Sequence, residues 1–213
     1  MRTEELVSLL ASGAEAVDWK APTRRYLAAI GTAAVLAVVL TQLWLGVRPS
    51  LLSDFAVPMF WIKETFCVVL GVAGLVAVSR LARPGSRLGL VPAGLAAPVL
   101  VMWVLAGAVL YSADVESRKV LVFGLTSDVC PLAIAVISAP VFCATFLSLQ
   151  AMAPTQLRLA GAAGGFAAGA VGALAYSLHC PELAAPFIGI WYLLGILIPT
   201  IIGTLLGPHL LRW

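Results

Sequence analysis

The chain has 213 residues, 62% hydrophobic and 11% charged, whereas an ordinary soluble domain is about half apolar and about a quarter charged. The stretches 26–47, 88–113, 129–157, 159–178 and 183–211 contain no Asp, Glu, Lys or Arg, and a membrane span needs roughly 20 mostly apolar residues. A soluble catalytic domain is excluded, and the net charge of +3 does not mark a nucleic-acid binder, because the basic residues sit beside the apolar runs, where membrane orientation accounts for them.

Residues 1–25 are the first unit, a polar arm. Thr3 is placed to cap a helix, with Glu4 and Glu5 in its first turn. Leu6, Leu9, Leu10 and Val17 then fall on one face at helical spacing, and Pro22 is expected to end the element. Such a helix either lies on lipid headgroups or docks in a partner's groove, and the spacing leaves both readings open. Thr23-Arg24-Arg25-Tyr26-Leu27 loosely echoes a twin-arginine signal, but the apolar run behind it is as long as a full span, so an uncleaved first helix is expected.

Residues 26–213 form the second unit, with six expected spans. The first runs over 26–47. The second takes Pro58–Ser79, which places Lys63 and Glu64 about one turn inside its end, beside Trp61. Either the two ionic side chains snorkel to the interface or they line a polar pocket. A basic turn, Arg80 to Arg87, leads to the third span over 88–111, bent by Pro92 and Pro98. The charged loop 112–128 precedes the fourth span, 129–150. The fifth, 157–178, carries Gly161, Gly165 and Gly169 at spacing four, a pattern that lets helix backbones approach. It reads as packing within the bundle in preference to homodimerisation. The sixth span covers 186–206. The fold class is therefore all-α: a polytopic membrane protein, a six-transmembrane-helix bundle with an N-terminal cytoplasmic amphipathic helix.

Six spans put both termini on one side, and Lys and Arg assign that side to the cytoplasm, about nine against about four. The loops 48–57, 112–128 and 179–185 then face outward. Cys130 opens the fourth span and Cys180 follows the fifth, so an antiparallel hairpin brings the two thiols to similar depth on the outer side. Three readings stand for them: a structural disulfide, a pair switched by oxidants or thiophilic metals, or a metal site using Cys130, Cys180 and His179 with Asp128 or Glu182. Lys63, pointing inward, would favour a thiolate. Cys67 and Cys143 are expected to be buried packing residues. A membrane thiol oxidoreductase and a small transporter are the alternatives. The first lacks a Cys-x-x-Cys pair, and the second lacks polar groups near mid-membrane.

Taken together, six segments resemble the NrsF family, negative regulators of the sigma factor SigF. They are Thr3 to Leu10, Pro58-Met59-Phe60-Trp61-Ile62-Lys63, Leu81-Ala82-Arg83-Pro84-Gly85, Cys130-Pro131, Leu178-His179-Cys180-Pro181-Glu182 and the Gly207 to Trp213 end. The resemblance spans essentially the whole chain. It implies an inner-membrane anti-sigma factor, not an enzyme, that holds an extracytoplasmic-function sigma factor away from RNA polymerase. Oxidising or heavy-metal stress would relieve it through two outward-facing cysteines, whose positions Cys130 and Cys180 match. On this reading Cys130, Cys180, His179, Lys63 and Trp61 form the sensing end, and Leu6, Leu9 and Leu10 contact the partner. No resident cofactor is implied beyond a transient thiophilic metal ion, and the other partners are membrane lipids, with no direct contact to nucleic acid.

Overall fold

The computed structural model describes residues 3–12, 21–83, 85 and 87–212, and every regular element among them is helical. In chain order these are α1 (Thr3–Ser12), α2 (Ala21–Trp44), the single turn α3 (Leu51–Asp54), α4 (Pro58–Leu81), α5 (Val91–Ser112) and α6 (Val115–Phe123). After them come α7 (Cys130–Ile137), α8 (Ala139–Gln150), α9 (Leu157–Ser177), α10 (Ala185–Phe187), a π turn (Ile188–Tyr192) and α11 (Leu193–Leu210). The side chains of Leu6, Leu9 and Leu10, and all of Val17, lie outside the described residues.

Prolines set several helix starts. α4 opens on Pro58 behind an extended Val57 (φ −91°, ψ 120°), the conformation that a following proline imposes. α7 has Pro131 and α10 has Pro186 in the first turn, where the missing N–H costs nothing. Pro22 follows the same rule: it lies in the first turn of α2, which therefore begins ahead of the expected start at Tyr26. Loop 112–128 is not irregular throughout. Asp114 caps α6 by accepting from the Ser117 N–H at 3.3 Å, and its bonds with Ser117 hold the Asp114 carboxyl below the usual carboxylate range.

Five helical stretches are long and apolar enough to cross a bilayer: Arg24–Trp44, Pro58–Leu81, Val91–Ser112, Leu157–Ser177 and Ala185–Leu210. The expected fourth span is broken into α7 and α8, which meet at 44°, and the count reaches six only when that pair is one span. Pro140 accounts for the break, because it removes a helix N–H and its ring collides with the carbonyl four residues back. The pair still runs from one end of the bundle to the other. Cys130 opens it near Cys180 and Tyr176, and at its far end the Gln150 side-chain amide donates to the Leu210 carbonyl at 2.7 Å.

The bundle is built around α9, which packs on α11, α4, α8 and α7. Its small residues decide these approaches. A Cβ on Gly161 would overlap the Gly203 carbonyl and one on Gly165 the Pro199 carbonyl, while one on Gly169 would stand 2.9 Å from Ile196 Cα. From the other helix, a Cβ on Gly207 would overlap the Leu157 carbonyl. Gly164 faces Thr145 and Leu149 of α8, Gly172 faces Ser138 at the α7–α8 break, and Gly74 of α4 rides on the Ala167 backbone. The small-residue faces are thus occupied inside the chain. Gly165→Val is expected to force α9 and α11 apart and to cost about 3 kcal/mol or more, read as loss of monodisperse protein and a lower melting temperature in detergent. Gly107→Ala, where an added Cβ meets nothing within 4 Å, is expected to leave both unchanged.

Candidate functional site: a cation-held strap at the cysteine end

The chain between α9 and α10 is an irregular strap over residues 178–184, lying at the end of the bundle opposite Arg80, Arg158 and Arg212. Lys63, in the second turn of α4, is fully buried, and its ammonium donates to the carbonyls of Cys180 at 3.0 Å and Glu182 at 3.2 Å. Arg48 reaches the same Cys180 carbonyl from the first loop at 2.5 Å. The Arg48 guanidinium also pairs with Asp54 at 3.2 Å and lies 5.4 Å from the centre of the Phe60 ring. Two cations from different segments therefore converge on one backbone oxygen. The remainder of the strap is tied to both neighbouring loops. His179 Nδ1 lies 3.0 Å from the Gly46 carbonyl, and the Glu182 carboxylate accepts from the Leu125 N–H at 2.7 Å. Gly124, at φ +52°, makes room for that carboxylate: a Cβ there would stand 2.6 Å from it. Close by, Trp191 donates to the Val122 carbonyl at 2.8 Å and Trp103 to the Gly189 carbonyl in the π turn at 3.0 Å, fastening α6 and α5 to the top of the last helix.

Beneath the strap lie the thiols. Cys67, Cys130 and Cys180 are all fully buried, and all four cysteines are free. Cys130 and Cys180 lie near each other, and all three thiols lie near Lys63. Tyr176 interacts with both Cys130 and Cys180, its ring centre is 6.0 Å from those of Tyr192 and His179, and Thr126 Oγ1 is 3.9 Å from the Cys180 sulfur. One turn below, Ser177 donates to Glu64 at 2.9 Å. Four polar atoms of this buried cluster have no hydrogen-bond partner among the described residues: Arg48 Nε, which meets Asp54 only as an ion pair, Arg48 Nη2, the second Glu64 oxygen and the Tyr192 hydroxyl.

A family model described as "Negative regulator of sigma F", NrsF, matches residues 10–213. The chain belongs to the NrsF family. It is 50% identical over 213 residues to the "Probable anti-sigma-F factor NrsF" of Azospira oryzae, and 38% identical over 217 residues to the "Anti-sigma-F factor NrsF" of Caulobacter vibrioides, with the whole of both chains covered in each case. No solved structure matches.

Within this NrsF fold the expected site residues are sorted by packing. Cys130, Cys180 and Lys63 come together. Lys63 does not snorkel, since none of its surface is exposed. His179 belongs to the strap but turns its ring to Gly46, and among the described residues no three His, Cys, Asp or Glu side chains gather as a metal-binding group. Trp61 is 55% exposed and donates to the Phe55 carbonyl at 3.0 Å, so it faces outward on a rim of three aromatic rings with Phe55 and Phe60. Cys67 is buried as expected, yet it joins the thiol cluster. Cys143, also expected to be buried, is exposed. Arg48, Gly124 and Glu182's tie to loop 112–128 were not legible as contacts. Arg48 reads as an ordinary loop arginine, and the one available signal was its place in a short loop on the same side as Cys180.

Arg48→Gln is expected to cost about 3 kcal/mol, since it strips a partner from Asp54 and a charge-assisted bond from the Cys180 carbonyl. Arg48→Lys should recover part of this, keeping the charge without the fork. Gly124→Ala is expected to cost about 1–3 kcal/mol through its backbone conformation alone. Thermal unfolding of the purified variants measures all three.

Proposed function

We propose that this protein is an anti-sigma factor embedded in the bacterial inner membrane by six spans, the α7–α8 pair counting as one. Both termini are cytoplasmic, and the cysteine end faces the periplasm. The arm, residues 1–25, binds an extracytoplasmic-function sigma factor through the face carrying Leu6, Leu9 and Leu10. Residues 26–213 are the sensor, which releases the sigma factor when oxidants or thiophilic metals act on Cys130 and Cys180. The protein acts by holding and releasing its partner and performs no catalytic step of its own. The family and the anti-sigma-F names of the two relatives support the partner class. The observation that carries the sensing part is the double hold of Lys63 and Arg48 on the Cys180 carbonyl, next to Cys130.

The physical logic runs through the strap. In the resting state both thiols are shielded, and thiol reactivity needs access. Access comes from local opening of the irregular segment 178–184, whose hold is a few charge-assisted bonds. Once Cys180 is open, an oxidant that accepts two electrons and two protons joins the two sulfurs, or a soft metal ion replaces their protons. Either product pulls the Cys180 backbone from the position in which Lys63 and Arg48 meet it. The buried cluster is only partly satisfied, with its spare donors and acceptor already unpaired, so a second packing of the outer ends lies within reach. Modification shifts the population toward that packing. α9, closely packed along its length on α4 and α11, carries the change to the arm end, where the sigma factor is held less tightly.

Two measurements test this. In a pull-down of the co-expressed sigma factor, the full chain should retain it and a chain lacking residues 1–24 should not. Cys130→Ser/Cys180→Ser should retain it even after oxidant or cadmium exposure. Retention by the truncated chain, or stress-dependent release by the double serine variant, would sink the arm or the sensor assignment respectively. Separately, Lys63→Met should speed the labelling of Cys180 by a water-soluble maleimide about tenfold or more, a floor set by the loss of even one of the two charge-assisted hydrogen bonds that Lys63 gives the strap. An unchanged rate would show that the strap does not gate the thiol.

A further inference from the structure

At the arginine end of the bundle a second feature stands apart from the thiol cluster. A groove of about 760 Å³ runs between α2 and α8, a size within the roughly 300–1,000 Å³ typical of small-molecule sites. Its mouth is formed by Arg25, Tyr26 and Met152, and its depth by small or apolar residues, Ala29, Ala33 and Leu36 on one wall and Pro140 on the other. From Arg25 to Leu36 the helix rises about 16 Å, close to the roughly 15 Å of hydrocarbon in one leaflet. The mouth carries an unmet need. Tyr26 is only 5% exposed, and its hydroxyl finds no hydrogen-bond partner among the described residues. A buried hydroxyl in that state is costly unless something polar meets it. Arg25 beside it, and the adjacent Arg24, are exposed.

We infer that this groove binds one anionic glycerophospholipid, with its phosphate at Arg25 and the Tyr26 hydroxyl and an acyl chain lying against Ala29, Ala33 and Leu36. An arginine fork suits a phosphate, and a phosphate oxygen accepts the Tyr26 proton. The pair Arg24–Arg25 disfavours the choline cation of a zwitterionic headgroup, which selects the anionic class. The apolar walls match a chain of methylenes and offer a peptide few hydrogen-bonding groups. The inference rests on the membrane insertion proposed above and is independent of sigma-factor binding.

The test uses the full chain, purified in a mild detergent and titrated with phosphatidylglycerol, phosphatidylcholine or sn-glycerol 3-phosphate under native mass spectrometry. Phosphatidylglycerol should bind about tenfold or more tightly than phosphatidylcholine, as one charge-assisted bond requires, and the water-soluble glycerol phosphate should not bind. Arg25→Gln/Tyr26→Phe should abolish the preference, while Arg158→Gln, a lost charge at the same end, should keep it. Cys143 lines the groove and is the exposed cysteine of the four, so its maleimide labelling should slow when phosphatidylglycerol is added. Equal binding of the two lipids, a preference that survives the double variant, or binding of glycerol phosphate as tight as that of the lipid would each overturn the assignment. A folded Ala33→Trp variant that binds phosphatidylglycerol normally would do so as well, and would leave the groove to another segment of the chain.

Discussion

Much of this structure depends on a single backbone oxygen. The Cys180 carbonyl accepts from two buried cations, Lys63 and Arg48, that reach it from different segments. Burying two positive charges in an apolar bundle is tolerable only where partners are already in place. Here these are Asp54 for Arg48 and the Glu182 carbonyl for Lys63, with Glu64 close enough to contribute. The arrangement fixes the strap over the thiols, and through His179 and Glu182 the strap fixes the loops before α3 and after α6. The cysteine end of the molecule is thereby one connected polar structure instead of a set of independent loops.

Below it the physics is different. The α9–α11 interface has almost no side chains to adjust, because glycine meets backbone at Gly161, Gly165, Gly203 and Gly207. Interfaces of this kind do not deform gradually; they keep their geometry or separate. On the proposed mechanism, a helix held this way would move as a unit and couple a rearrangement at Cys180 to the far end. The 44° break between α7 and α8 supplies a bent element beside it, with Gly172 seated on Ser138 at the bend.

The two ends therefore have distinct chemistry. At the cysteine end the polar groups are largely buried and only partly paired with one another. At the arginine end the charges are exposed, and a buried hydroxyl lies at the mouth of an apolar groove. A lipid bound there would stiffen the α2–α8 contact next to the arm, so membrane composition and thiol chemistry would act on the same bundle from opposite faces.

What the residues alone determined was class and layout. Apolar runs of span length and the Pro58–Lys63 and Leu178–Glu182 segments suffice for a helical bundle, for placing Cys130 and Cys180 at one end of it and for the family, because hydrophobic periodicity and local motifs are short-range signals. Lys63 was legible only as a choice between snorkelling and a pocket. Tertiary packing decided it, by giving the ammonium two carbonyls that lie 117 and 119 residues away in sequence. The same holds for Arg48, which meets Cys180 across 132 residues, for Cys67 joining the thiols, for Trp61 turning outward and for Cys143 facing a groove. Each depends on which helix faces come together, which hydrophobic patterning does not encode; around α9 those faces meet where glycine approaches backbone.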